Sequence, residues 1–231
     1  MSKLQLLKGD ALKLIKQIED KSIDLILTDP PYDDVSNIKT PRLTDMQKKT
    51  LSQEFYRVLK PTGSIILFCG FTDMFKWYNF LSEKMIFKRV LVIVYPPGRA
   101  PNKNFIASHE SALFFVKTEK YIWNNYKPHD TTVYYTYRPR GNMRGVGTEY
   151  RGSGTEKLRT TPKPLKLIKS LIKRLTPEGG VVLDPFMGSG TTGVASVSLN
   201  RSFIGFEIDS KIYEHAVKRI KQQTTLHNYI I

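Results

Sequence analysis

The chain has 231 residues, enough to bury a core unaided, and its 40% hydrophobic and 25% charged residues are the mix of an ordinary globular protein. A single cysteine, Cys69, excludes an internal disulfide and argues against a cysteine-built zinc site, and no run approaches the ~18 apolar residues of a membrane span, so no metal, no membrane and a cytoplasmic location are expected. Thirty-six Lys and Arg against 21 Asp and Glu leave a net charge of +15, which favours a polyanionic partner over a merely solvated cationic face.

Leu4 to Leu7 reads as a strand closed by Lys8-Gly9-Asp10, and Leu12, Ile15 and Ile18 follow at helical spacing. Ile23 to Leu27 is a short apolar run that stops at Thr28-Asp29-Pro30-Pro31-Tyr32. Pro31 fixes its own backbone, offers no donor and pushes the residue before it out of the helical region, so the strand must end there. Asp33 to Pro41 is a polar, breaker-rich loop. Thr44 and Gln47 form a capping box ahead of a helix carrying Leu51, Phe55, Val58 and Leu59, which Pro61-Thr62-Gly63 stops. Ser64 to Cys69 is the next buried strand, and Thr72 is placed to cap a helix through Phe75, Tyr78 and Leu81. Strands at Lys88 to Tyr95 and Ser111 to Lys117 flank a rigid surface loop, Pro96 to Pro101, that carries Arg99. His109 beside Glu110 reads as a structural histidine rather than an acid/base pair.

From Tyr121 to Arg159 periodicity disappears, and Tyr134, Tyr135, Tyr137, Arg138, Arg140, Arg144, Tyr150 and Arg151 interleave rings with guanidinium groups. Between Lys117 and Arg174, 14 Lys or Arg stand against 4 Asp or Glu, so +10 of the net charge is concentrated in a quarter of the chain. Cations for phosphates and rings for unstacked bases are what a nucleic-acid grip needs, and the aromatic content is too high for a disordered linker.

Leu165, Ile168, Leu171, Ile172 and Leu175 make an amphipathic helix ended by Pro177-Glu178-Gly179-Gly180. Val181 to Leu183 is a buried strand, followed by Asp184-Pro185-Phe186-Met187-Gly188-Ser189-Gly190-Thr191-Thr192, where small residues let the backbone approach a ligand. Ser202 to Phe206 is another strand ending in Glu207-Ile208-Asp209, and Ser210 to Gln222 is the last helix. The 23-residue step from Asp184 to Glu207 is the Rossmann spacing at which an acidic residue takes ribose hydroxyls. Strands alternating with helices predict an α/β, Rossmann-like, mostly parallel sheet with helices on both faces. The Asp29 turn should lie at its carboxyl edge, where a carboxylate, two stiff carbonyls and a ring suit an exocyclic amine on a flat base.

Read together, the Asp29 to Tyr32 and Asp184 to Thr192 strings resemble the amino-methyltransferases that modify exocyclic amines of DNA bases. The order, catalytic motif first, basic insertion next and cofactor motif last, is similar to that family's permuted β class. The resemblance implies seven strands, one of them antiparallel near an edge, and three parts: a catalytic half at 1–118, a target-recognition insertion at 119–160 and a cofactor half at 161–231. S-adenosylmethionine is the implied cofactor, with Asp10 at its adenine amine, Glu207 with Asp209 at its ribose, and Asp184, Pro185, Phe186, Gly188, Ser189, Gly190 and Thr191 around its methionine part. Lys163-Pro164 looks like an element that closes the cofactor pocket, although Arg159-Thr160-Thr161-Pro162 departs from the usual lead-in. Asp29, Pro30, Pro31 and Tyr32 are the implied catalytic residues; Arg99, Tyr137, Arg138, Arg140, Arg144 and Arg151 are the expected duplex-DNA contacts. Adenine N6 is favoured over cytosine N4 because the motif opens with Asp; an RNA amino-methyltransferase, a nucleic-acid-binding protein with a relic cofactor fold and a nicotinamide-binding module are the alternatives. A homodimer and a cognate restriction endonuclease are the remaining implied partners. Asp33 and Asp34, two negative charges beside an anionic substrate, have no account in the sequence.

Overall fold

The structure, a computed structural model, describes residues 3–33, 42–96, 109–124, 132–136 and 162–228. Its strands are β1 (Leu4–Lys8), β2 (Ile23–Thr28), β3 (Leu59–Cys69), β4 (Ile86–Val94), β5 (His109–Val116), β6 (Val133–Tyr135), β7 (Val181–Asp184) and β8 (Ser202–Glu207). They form one sheet in the order β1-β8-β7-β2-β3-β5-β4-β6, in which β5 alone runs against its neighbours. The Rossmann-like class is as expected, but the strands number eight rather than seven. The extra one, β6, pairs in parallel with β4 and is extended by Val92 N–H to Thr132 O (2.7 Å) and Thr136 N–H to Val94 O (2.9 Å). Three residues are too few to show a period, and their tyrosines sit in a tract whose composition pointed elsewhere.

Alternate strand residues face opposite sides, so the sheet builds two cores. Leu25, Leu27, Ile66 and Phe114 pack under α4 (Leu165–Leu175), α5 (Thr191–Val197) and α6 (Ser210–Asn228). Ile26, Ile65, Leu67 and Phe115 pack under α1 (Ala11–Leu14), the 3-10 turn Ile15–Gln17, α2 (Asp45–Val58) and α3 (Phe71–Ser82). Each such fully buried Leu, Ile or Phe side chain contributes about 1.5–3 kcal/mol.

The capping box of α2 is present: Gln47 N–H donates to Thr44 Oγ1 (3.3 Å) and Thr44 N–H to Gln47 Oε1 (2.8 Å). Two local expectations are corrected. Helix α3 starts after Gly70 rather than at Thr72, with Gly70 O accepting from Asp73 and Met74 N–H. Its buried stripe is Asp73, Trp77 and Leu81, which leaves Phe71 and Phe75 on the solvent side; pairing of Asp73 rotates the helix from the face that hydrophobicity alone selects. Strand β3 begins at Leu59, not Ser64, and passes through Pro61. The register with β2 jumps between Ile23 and Leu25, so residues 60–63 bulge from the ladder and the donor missing at Pro61 is not needed.

Two pieces of the stretch 119–160 are described, and both lie on the sheet. Besides β6, Ile122 N–H bonds Thr62 O (3.2 Å), and Asn124 caps α4 by donating to the carbonyls of Lys173, Arg174 and Thr176, each at 2.8 Å.

Candidate active site

Neighbouring parallel strands end on the same side of a sheet, and β2 and β7 are neighbours, with Ile26 opposite Leu183. Their carboxyl ends carry Asp29 and Asp184. Thr28 Oγ1 donates to Asp184 Oδ1 across 2.9 Å and ties the two turns directly. On the other side of β7, Lys8 of β1 stands opposite Glu207 of β8, and Gly9 N–H bonds Glu207 O (2.9 Å). Asp10, Glu207, Asp184 and Asp29 therefore follow one another along a single edge.

The glycine loop is held from three sides. Met187 N–H bonds Phe206 O (2.9 Å), and the Glu207 carboxylate accepts from Gly188 N–H (3.1 Å) and Asp209 N–H (2.8 Å). Burial pushes the Glu207 carboxyl above the usual range although these donors oppose it. Arg219 of α6 donates to Ser189 O (3.0 Å), Ser189 Oγ (3.3 Å) and Thr191 Oγ1 (3.2 Å). Gly190 has φ +82°, and a Cβ there would lie 3.0 Å from Ile220 Cδ1 and 3.2 Å from Ala216, so both conformation and packing require glycine. At Gly188, φ +49°, a Cβ would meet only Phe186 O at 4.0 Å, which leaves the backbone open on that side. Asp184 and Pro185 are buried and Phe186 half-buried; Asp184 also accepts from Phe186 N–H (3.2 Å), and burial raises its carboxyl to about 7. Asp10 caps α1 by accepting Leu12 N–H (2.9 Å), and Asp209 caps α6 through Lys211 and Ile212 N–H. Sequence reading passed over Arg219; its one signal is its place beside Ala216 and Ile220 on the packed face of α6.

On the Asp29 side, Pro30 is buried and Pro31 half-buried. Tyr32 Oη donates to Asp29 Oδ1 (2.5 Å), and burial, with the Asp29 charge beside it, raises the Tyr32 phenol well above its ordinary value. Lys163, placed just ahead of α4, has its ammonium 2.8 Å from Asp29 Oδ2, 3.0 Å from Glu110 Oε2 and 3.2 Å from Tyr32 Oη, and 5.0 Å from the centre of the Phe68 ring. Burial works against the Lys163 charge, but Asp29 and Glu110 outweigh it and hold its pKa above the usual lysine value. Glu110 in turn accepts from Tyr95 Oη (3.0 Å). Lys163 was expected at the cofactor pocket; its described contacts are with the Asp29 turn, Glu110 and Phe68. Glu110, dismissed with His109 in the sequence, reaches this cluster because β5 is antiparallel and starts at the edge where its neighbours end.

The structure also accounts for Asp33. Its carboxylate meets Lys48 at 2.8 Å and Lys76 at 3.3 Å, and its N–H donates to Asp73 Oδ2 (2.6 Å). Lys48 and Asp73 are both fully buried and paired to each other. Burial opposes the charge on Asp33, but the contacts with Lys48, Asp73 and Lys76 together outweigh it and depress its pKa. The negative charge is neutralised, and the chain after Tyr32 is pinned to α2 and α3. Lys48 stands three residues before Leu51 and seven before Phe55, on the apolar stripe of α2, which is the signal that could have exposed it.

Asp34, Arg99, Tyr137, Arg138, Arg140, Arg144 and Arg151 lie outside the described residues. Among the described residues no His/Cys/Asp/Glu cluster could hold a metal ion, and no helix is long and apolar enough to cross a membrane.

A Rossmann-like sheet with an Asp-Pro-Pro-Tyr turn on one central strand and a glycine loop on its neighbour has the architecture of an amino-methyltransferase. Residues 23–218 match the family model described as DNA methylase, and the chain belongs to that family. It is 32% identical over 239 residues to the type II methyltransferase M.HpaI of Haemophilus parainfluenzae, a match covering 95% of this chain and 74% of that protein. The DNA adenine methyltransferase YhdJ of Escherichia coli K12 is 28% identical over 248 residues, covering 93% and 82% of the two chains. Among solved structures, the M1.HpyAVI–SAM complex superposes with a TM-score of 0.69 at 26% identity, over 94% of this chain and 99% of that one.

Proposed function

We propose that the protein moves a methyl group from S-adenosylmethionine to the N6 amine of an adenine flipped out of duplex DNA. The Thr28–Asp184 bond carries this reading, because it locks an amine-accepting turn and a glycine loop into one crevice. The residues fit the cofactor: the backbone at Gly188 is open where a Cβ would otherwise intrude, and the Glu207 carboxylate stands beside it for a ribose diol. Asp10, Glu207, Phe186 and the loop from Asp184 to Thr191 would hold it. When bound it supplies a methyl on a sulfonium, which leaves as a neutral thioether. Asp29 and the Pro30 carbonyl accept the two amine N–H groups, favour a pyramidal nitrogen and stabilise the positive charge that develops there. Tyr32 offers its ring to the extruded base. No side chain need act as a nucleophile, and Cys69 is buried under α2 and α3.

Adenine is proposed over cytosine because the motif begins with Asp; nucleoside analysis of methylated DNA decides between them. The basic tract within 119–160 is proposed as the DNA grip, between halves at 1–118 and 161–231. The exposed Phe71 and Phe75, 71% and 57% accessible on α3, support a homodimer. A cytoplasmic location and a cognate endonuclease, whose cuts the modification would block, complete the proposal. In the test, Asp29→Ala should lower methyl transfer at least a hundredfold or so while S-adenosylmethionine affinity by calorimetry stays within a few-fold. Turnover retained in that variant removes Asp29 from its role.

A further inference from the structure

Both oxygens of Asp29 are occupied by the protein itself, Oδ1 by the Tyr32 hydroxyl and Oδ2 by the Lys163 ammonium. An incoming amine must therefore share an oxygen with one of these donors or displace it. Lys163 has somewhere else to rest, since Glu110 Oε2 is already 3.0 Å from its Nζ and is braced from behind by Tyr95. Lys163 is only 10% exposed, so its ammonium cannot simply turn out to water. It has to stay beside Asp29 as a buried donor when the base arrives.

Adenine and cytosine share one edge, an amine that donates next to a ring nitrogen that accepts. A carboxylate 2.8 Å from an ammonium is the complement of that edge, acceptor beside donor. Resting on the methyltransferase reading above, we propose that Lys163, backed by Glu110, donates to the ring nitrogen adjacent to the target amine while Asp29 accepts the amine. The pair then selects the base as well as orienting it. On guanine's Watson–Crick edge the exocyclic amine sits beside a ring N–H, which would oppose the ammonium donor to donor, and thymine has no amine for Asp29. Left without the ring nitrogen, the buried ammonium would lose a partner that a neutral side chain never needed.

The test uses a duplex carrying the protein's own methylation site, mapped beforehand on cellular DNA, with the target adenine replaced by 1-deazaadenine, which keeps the amine and replaces the ring nitrogen by C–H. Wild type should lose roughly tenfold to a hundredfold in kcat/KM on the analogue, the worth of a hydrogen bond to a charged donor. Lys163→Met should be slow on both duplexes and discriminate between them by less than about threefold, whereas Lys163→Arg, which keeps a donor, should retain much of the preference. Glu110→Gln should raise KM by leaving Lys163 on Asp29, with the preference for adenine kept. A purely structural lysine would lower both rates equally and leave the wild-type ratio intact in Lys163→Met, and that result overturns the proposal. So does a wild-type protein that methylates both duplexes equally well, whatever the variants do. If expression of the wild type adds no methylated base to cellular DNA, so that no site can be mapped, the methyltransferase reading itself has failed.

Discussion

Asp184 keeps its proton to about pH 7 because it is 4% exposed, and its hydrogen bonds from Thr28 and Phe186 offset only part of the burial. The sign of the consequence follows from linkage. The folded protein binds this proton more tightly than the unfolded chain, whose aspartates titrate near 3.9. Its contribution is therefore most favourable below about pH 4, declines by up to about 1.4 kcal/mol per pH unit as pH rises toward 7, and then stays level. In urea titrations, the stability difference between wild type and Asp184→Asn should fall across that window; a flat difference would mean that the carboxyl titrates as an exposed one. Residues of this kind divide sharply in how they can be read. Asp29 and the glycine loop are legible because prolines and glycines constrain the backbone locally, and the constraint survives any tertiary context. Glu110 and Arg219 are not, nor are the partners of Lys163, because each depends on a contact 28 or more residues away.

At the scale of elements, the site is supported by helices on both faces of the sheet. Lys48 of α2 and Asp73 of α3 form a fully buried pair that also holds Asp33, the residue after Tyr32. Removing one member of a buried pair leaves an uncompensated charge, so Lys48→Met should cost about 3–5 kcal/mol in chemical denaturation, and Lys48→Met combined with Asp73→Asn should recover part of it. The same pair explains why the face of α3 was misjudged: a hydrophobic count cannot place a buried aspartate, and once Asp73 points inward, Phe71 and Phe75 must point out. On the opposite face, α6 secures the glycine loop through Arg219. Arg219→Ala should weaken S-adenosylmethionine binding roughly thirtyfold to a hundredfold with little change in the affinity for DNA, since two or three hydrogen bonds of about 1 kcal/mol that hold the loop are lost. Equal weakening of both ligands in calorimetry would show that α6 supports the whole molecule rather than the loop.

For the molecule as a whole, the class of sheet was legible because alternating strands and helices with short connections permit few topologies, whereas the strand order that makes β2 and β7 neighbours came only with the structure. The eighth strand was hidden in the tract whose charge dominates the chain. That tract sets the last expectation. The carboxyl edge of the sheet carries Asp10, Glu207, Asp29 and Glu110, with Lys163 already paired to the last two, so it offers a phosphate backbone little attraction. The basic tract proposed as the DNA grip, within the +10 between Lys117 and Arg174, is expected to supply it. Each phosphate neutralised releases condensed counterions and makes log affinity fall with log salt by about 0.9, so five such contacts imply a loss of about 500-fold between 50 and 200 mM salt. Filter binding to duplex DNA should show that steep dependence, and replacing Arg138, Arg140 and Arg144 by Ala should lower the slope by up to about 2.7. S-adenosylmethionine affinity, set inside the crevice, should change little over the same range. A slope near zero, or one that the triple substitution leaves unchanged, would place the DNA grip outside this tract.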